Sequence, residues 1–321
     1  MSLSATFRQL ANTLPRSSHA LALHGNTLIA FAGEEVSRQP VAPDAHFIDI
    51  TNPELSHTSR TFAASPASRV GAAYASNNGT LYIHGGRGGF QMTCLPEAGT
   101  VHVLNLATNT WASVHATGDH PEERSYHCAT ADDEGRVYLH AGCAQEAGKR
   151  LKDLWRWDQG TWEKLEDAPG APRGGTSICA AWGKVYRMGG FDGKSEVGGG
   201  VDVFDATEGT WTTPEQKDAP RATSVACLLP VEAKGKRYLV SVMGEGEPSD
   251  KGHEGAGRFH GDVWAYDVEE NTWSEVQVKG EKPERRGWFA AVGDGEKVYV
   301  HGGLGENNER LGDAWVLEFE Q

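Results

Sequence analysis

Residues 69–89 read RVGAAYASNNGTLYIHGGRGG, and residues 101–111 read VHVLNLATNTW. In order, they contain an arginine, a short apolar run, an Asn-Asn-Gly turn, and an alternating Leu-Tyr-Ile run ending in two glycines. After a loop comes a third apolar run, a Thr-Asn turn and a tryptophan. Alternation of this kind marks strands with two distinct faces. Asn and Gly supply the turns between them, and a glycine pair permits dihedrals that a Cβ forbids.

The same order recurs through the chain. It appears in RSYHCATADDEGRVYLHAGC (124–143) with DLWRWDQGTW (153–162), and in RGGTSICAAWGKVYRMGGFDG (173–193) with VDVFDATEGTW (201–211). It appears again in RATSVACLLP (221–230), YLVSVMGE (238–245) and DVWAYDVEENTW (262–273), and in RRGWFAAVGDGEKVYVHGG (285–303) with DAWVLEF (313–319). The first copy is RSSHALALHGNTLIAFAGE (16–34) with AHFIDI (45–50). Arg16, Arg69, Arg124, Arg173, Arg221 and Arg286 open the copies, at spacings of 53, 55, 49, 48 and 65 residues. A repeat of this length is one supersecondary unit that buries its faces only against its neighbours. The glycine pair stands at 85–86, 189–190 and 302–303; it becomes Ala-Gly at 32–33 and 141–142 and Gly-Glu at 244–245, which places Glu245 at the second glycine position.

This pattern resembles the kelch repeat and covers nearly the whole chain. The resemblance implies an all-β fold, a six-bladed β-propeller forming a single domain over residues 1–321. The last copy stops at Phe319 without its tryptophan strand, and ATFRQLANTLPR (5–16) is an orphan with Phe7 in the tryptophan place. Residues 5–15 are therefore expected to complete the last blade and leave the ring without a free seam.

Of 321 residues, 38% are hydrophobic and 23% charged, with 40 glycines and ten tryptophans. Such a chain can bury a core. The net charge of −14 disfavours nucleic acid and anionic membrane surfaces. Five scattered cysteines without a CxxC indicate neither a disulfide framework nor a zinc site. No stretch of signal-peptide or membrane-spanning character is present, so a cytoplasmic location is expected, with the nucleus also compatible.

The longest spacing holds GEGEPSDKGHEGAGRFHGDVW (244–264). Carboxylates with an imidazole suit a divalent metal of the iron or manganese type. This segment resembles the corresponding loop of the plant nitrile-specifier, thiocyanate-forming and epithiospecifier proteins and their kelch relatives. Those proteins use ferrous iron to redirect the breakdown of glucosinolate aglucones, and their iron residues are a Glu, an Asp four later and a His eight later. Glu245 and His253 match that spacing. Ser249 stands at the middle position, with Asp250 one further on.

The resemblance thus implies Fe(II) on Glu245, Asp250 and His253. It also implies Arg87 and Arg150 as grips for a small anionic, sulfur-containing ligand of thiohydroximate type, and Trp288 as an aromatic wall. A planar guanidinium fork suits such an anion. On this reading the protein is a lyase-like specifier. The other readings are a non-catalytic module that binds a protein partner through its blade loops, and a sugar-processing propeller similar to the kelch-type sialic acid mutarotases. His84, His140 and His301 recur just before the small pair and are expected to be packed rather than to bind metal. Most of the opening arginines are expected to pair with carboxylates or carbonyls between blades.

Overall fold

A computed structural model describes residues 3–12, 14–52, 57–250 and 255–320. Among them the regular structure is β-strand throughout, and no helix is long and apolar enough to cross a membrane. Six sheets of four or five strands, antiparallel but for one edge pair, follow one another along the chain. The innermost strands of blades one to six begin at Ala20, Ala73, Cys128, Ser177, Cys227 and Ala290. Each touches the innermost strands of both neighbouring blades, and the last touches the first.

Alternation explains how the blades stack. Leu81 and Ile83 point to one side and share a core with Ile29 and Phe31 of blade one. Tyr82, between them, points the other way and meets Trp157 of blade three at 5.8 Å between ring centroids. The ring closes as expected. Ser4–Asn12 pairs antiparallel with Asp313–Phe319, Phe7 opposite Leu317, and Phe7 packs edge-on against Trp315. Gln277–Lys279 adds a parallel strand outside it.

Five opening arginines are buried: Arg16, Arg69, Arg124, Arg173 and Arg286. Each donates to the carbonyl of the first residue of its own small pair, respectively Ala32, Gly85, Ala141, Gly189 and Gly302, at 2.9–3.1 Å. Arg69, Arg124 and Arg286 also fork onto both carboxylate oxygens of Glu97, Asp153 and Asp313. Burial of a guanidinium is tolerated because the charge is paired and its donors are used.

Blade five corrects two readings made from sequence. Its innermost strand places Cys227 opposite Val242, as Ala73 lies opposite His84 and Cys128 opposite His140. The small pair of blade five is therefore Met243-Gly244, with φ of 51° and 111°, matching 62° and 99° at Gly85-Gly86. Glu245 follows the pair; it does not occupy the second glycine position. By the same register Thr223, not Arg221, holds the opening position. Thr223 is buried and donates its hydroxyl to the Glu245 carbonyl at 3.0 Å.

Two residues after each opening position the backbone turns left-handed. Ser18, Gly71, Tyr126, Gly175, Val225 and Trp288 have φ between 45° and 63°. Each donates its N–H to the carbonyl of its counterpart in the preceding blade, from Gly71 to Ser18 round to Ser18 to Trp288, at 2.7–3.3 Å. Six main-chain hydrogen bonds thus form a closed hoop at the top of the channel. Deeper in the channel, the Tyr74 hydroxyl spans to blade six, donating to the Ala291 carbonyl and accepting from its N–H.

Candidate functional site

The residue following each small pair bridges back to the residue following the opening position, as Arg87 does to Val70 and Glu245 to Ser224. This fixes a rim of six equivalent positions around the mouth: Glu34, Arg87, Cys143, Phe191, Glu245 and Leu304. Above the hoop, Tyr126 and Trp288 project from blades three and six, which face each other across the axis. Their rings meet edge-on at 5.4 Å. Bulky side chains at positive φ are strained, and strain of this kind concentrates at functional sites. The tyrosine also needs Gly71, since a Cβ there would lie 2.6 Å from its ring.

Beside this aromatic pair lies a cavity of about 180 Å³, lined by Arg150, Phe191, Glu245, Tyr126, Trp288 and Ser249 among others. The Arg150 guanidinium lies over the Phe191 ring at 5.1 Å. Its Nη1 reaches the Gly148 carbonyl only at 3.5 Å, and its buried Nε has no hydrogen-bond partner. Glu245 is 6% exposed. Burial pushes its carboxyl up to about 7, against the opposing pull of the Gly257 and Ser249 N–H groups. Glu196 stands behind it, pushed up to about 8 by burial and then by the charges of Glu245 and Asp192. The Ser224 hydroxyl is close enough to moderate that rise but is not in hydrogen-bonding geometry. Cys143, also on the wall, is raised by burial despite the nearby Arg150 and Arg87.

The structure therefore brings together Arg150, Glu245 and Trp288. Arg87 is engaged elsewhere, with Nε on Ser125 Oγ at 2.7 Å and its other nitrogens on the Met92 and Ala144 carbonyls. It ties blade two to blade three and does not line the cavity. Asp250 is exposed and also stands off the cavity wall. His253 lies outside the described residues. Among those described, no three His, Cys, Asp or Glu side chains are placed to hold one metal ion.

Tyr126, Phe191 and Glu196 escaped the reading from sequence. Two of them carried a signal: Phe191 follows Gly189-Gly190 as Arg87 follows Gly85-Gly86, and Tyr126 follows Arg124 by two residues as Trp288 follows Arg286.

The family model described as the KLHDC2/KLHL20/DRC7 Kelch-repeats domain matches residues 18–244. The chain belongs to this kelch-repeat family. Among curated relatives of this kelch propeller is the N-(sulfonatooxy)prop-2-enimidothioate sulfolyase of Thlaspi arvense, 26% identical over 94% of the chain and 92% of that protein. Human host cell factor 1 is 27% identical over 63% of the chain, which spans only 10% of that protein. Among solved structures, that of YjhT superposes with a TM-score of 0.73 over 97% of this chain and 99% of the other, at 17% identity; that likeness concerns the fold alone.

Proposed function

We propose that the mouth cavity receives a small organic oxyanion and that the protein acts on it as a specifier-like kelch protein. The observation that carries this reading is Arg150, a cation over the Phe191 ring with a buried, unpartnered Nε on the cavity wall. A guanidinium with donors to spare favours a planar or tetrahedral oxyanion. The sulfolyase relative acts, by its name, on a compound bearing a sulfonatooxy group and a thioate. In a thiohydroximate O-sulfate the N–O bond breaks and sulfate departs with the electron pair; for a nitrile to form, the C–S bonding pair becomes the third C–N bond and the former thiolate sulfur leaves as neutral sulfur. Arg150 is positioned to receive that charge, while Trp288, Tyr126 and Phe191 keep water from the organic part. The described residues do not assemble an iron site, and no step is assigned to iron; Glu245 and His253 remain the residues on which the metal part of this reading is tested.

The test is product analysis. An O-sulfated thiohydroximate, released in situ by glucosinolate hydrolysis, is incubated with the protein and ferrous iron, and nitrile and thiocyanate are quantified against isothiocyanate. The wild type should shift the products. Arg150→Met should lose the shift by at least about tenfold, the cost of one charge-assisted contact. Isothiocyanate alone, with or without protein, overturns the proposal. Glu245→Ala and His253→Ala, assayed with and without iron, decide the metal part.

A second reading rests on Phe90, wholly exposed in the loop after blade two's small pair, and on the host cell factor relatives. Kelch loops commonly engage proteins, and a bare phenylalanine is a suitable anchor. Phe90→Ser should then abolish partner binding while leaving the anion site intact.

A further inference from the structure

Blade five lacks the buried arginine that the other five blades possess. Where Arg124 and Arg286 fork onto both oxygens of Asp153 and Asp313, the equivalent carboxylate is Asp262. The equivalence is shown by the tryptophan two residues on, which donates its Nε1 to the carboxylate in all three blades. Asp262 has only a partial substitute. Arg221, 61% exposed at its side chain, comes from two residues before the opening position and reaches Oδ2 alone, at 2.9 Å. The buried guanidiniums of the other blades are 0–7% exposed.

A groove of about 1030 Å³ opens here at the edge of blade five, with Arg221, Asp262, Trp264 and His260 on its walls. His260 Nε2 is buried without a hydrogen-bond partner. On the rim, Arg258, Lys282 and Arg285 are offset by Glu247, Glu275 and Glu306. The groove therefore has no net charge to attract a ligand by sign, and selection must come from geometry.

The fold itself shows what fits this place: five blades bury an arginine at the opening position, and in three of them it forks onto a carboxylate. We propose that the groove binds a guanidinium, presented by an arginine side chain of a partner peptide, which completes the Asp262 fork as Arg124 and Arg286 complete theirs. This site is separate from the mouth cavity and does not depend on the anion reading.

The experiment uses the full chain and calorimetric titration with Nα-acetyl-arginine amide, Nα-acetyl-lysine amide and an arginine-containing pentapeptide. The arginine amide should bind at least about tenfold more tightly than the lysine amide, since an ammonium cannot fork onto a carboxylate. The pentapeptide should bind more tightly still; equal affinity for amide and peptide would overturn the assignment to a peptide partner. Thr223→Arg supplies the missing side chain internally and should abolish binding, whereas Thr223→Val should not. Arg221→Ala removes the competing cation and should strengthen binding. Equal affinity for lysine and arginine, or unchanged binding in Thr223→Arg, overturns the proposal. Should Thr223→Arg fail to fold, Arg221→Ala decides, and a failure to strengthen counts against the site.

Discussion

His84 and His127 meet across the junction of blades two and three, Nδ1 to Nε2 at 3.1 Å. Burial, aided by the Arg124 charge, holds His84 down to about 3; burial and the neighbouring His84 hold His127 well below the usual histidine range. Folding therefore excludes protons that the unfolded chain accepts below pH 6.5, and stability must fall as pH drops from about 6.5 towards 3. His84→Phe should cost about 1–3 kcal/mol at pH 7, because it strands the His127 nitrogen. By pH 5 the variant should recover about 2 kcal/mol relative to wild type, since the proton penalty at this position is gone. Denaturant titrations at the two pH values check this, and an unchanged gap would refute it. Single residues were also where the sequence misled. Met243 occupies a left-handed position that the other blades give to glycine or alanine. Aligning Gly244 with the first glycine of the pair therefore shifted Glu245 by one place. Arg221 likewise stood in for an opening residue that is in fact Thr223. Dihedrals and strand register resolve such slips; residue identity does not.

The buried arginine clamp recurs in five of the six blades, and its value depends on whether it is buried. Arg286, itself at no exposure, joins Gly302 and the half-buried Asp313, so Arg286→Met removes a fully buried partner of that carboxylate and should cost about 3–5 kcal/mol. Arg221→Met removes a guanidinium that is 61% exposed and should cost no more than about 1 kcal/mol. Equal losses in thermal or chemical denaturation would show that the two arginines are equivalent after all. Strands and turns were legible because period-two alternation and turn chemistry are local properties. The mouth was legible only in part. Arg150, Glu245 and Trp288 are far apart in sequence, and their meeting depends on the rim positions of four blades. Glu196 had no local mark at all: its importance comes from burial beside Glu245, a property of the assembled ring.

At the scale of the whole molecule the ring is held shut by the chain's own start. Leu3, Ala5 and Phe7 enter the core between blades five and six, and Leu10 enters the core between blades six and one. Pairing with this strand also covers the edge of Asp313–Phe319, which would otherwise be an open template for another chain. The closing blade thus couples the first residues to the hoop at the mouth, since Arg16 and Ser18 follow directly and Ser18 makes the last of its six hydrogen bonds, to Trp288. Deleting residues 3–12 removes three large buried apolar side chains, each worth about 1.5–3 kcal/mol, and bares a β edge. That sum is comparable to the whole stability of a typical domain, about 5–15 kcal/mol. The shortened chain should therefore aggregate or associate edge to edge, and Trp288 should lose its fixed environment at the mouth. A synthetic peptide of residues 1–15 added in trans should restore a soluble monomer and the near-ultraviolet circular dichroism of the intact protein. A deletion variant that stays monomeric with unaltered tryptophan signals would mean that the ring closes without its first strand, and that the mouth is shaped by the blades alone.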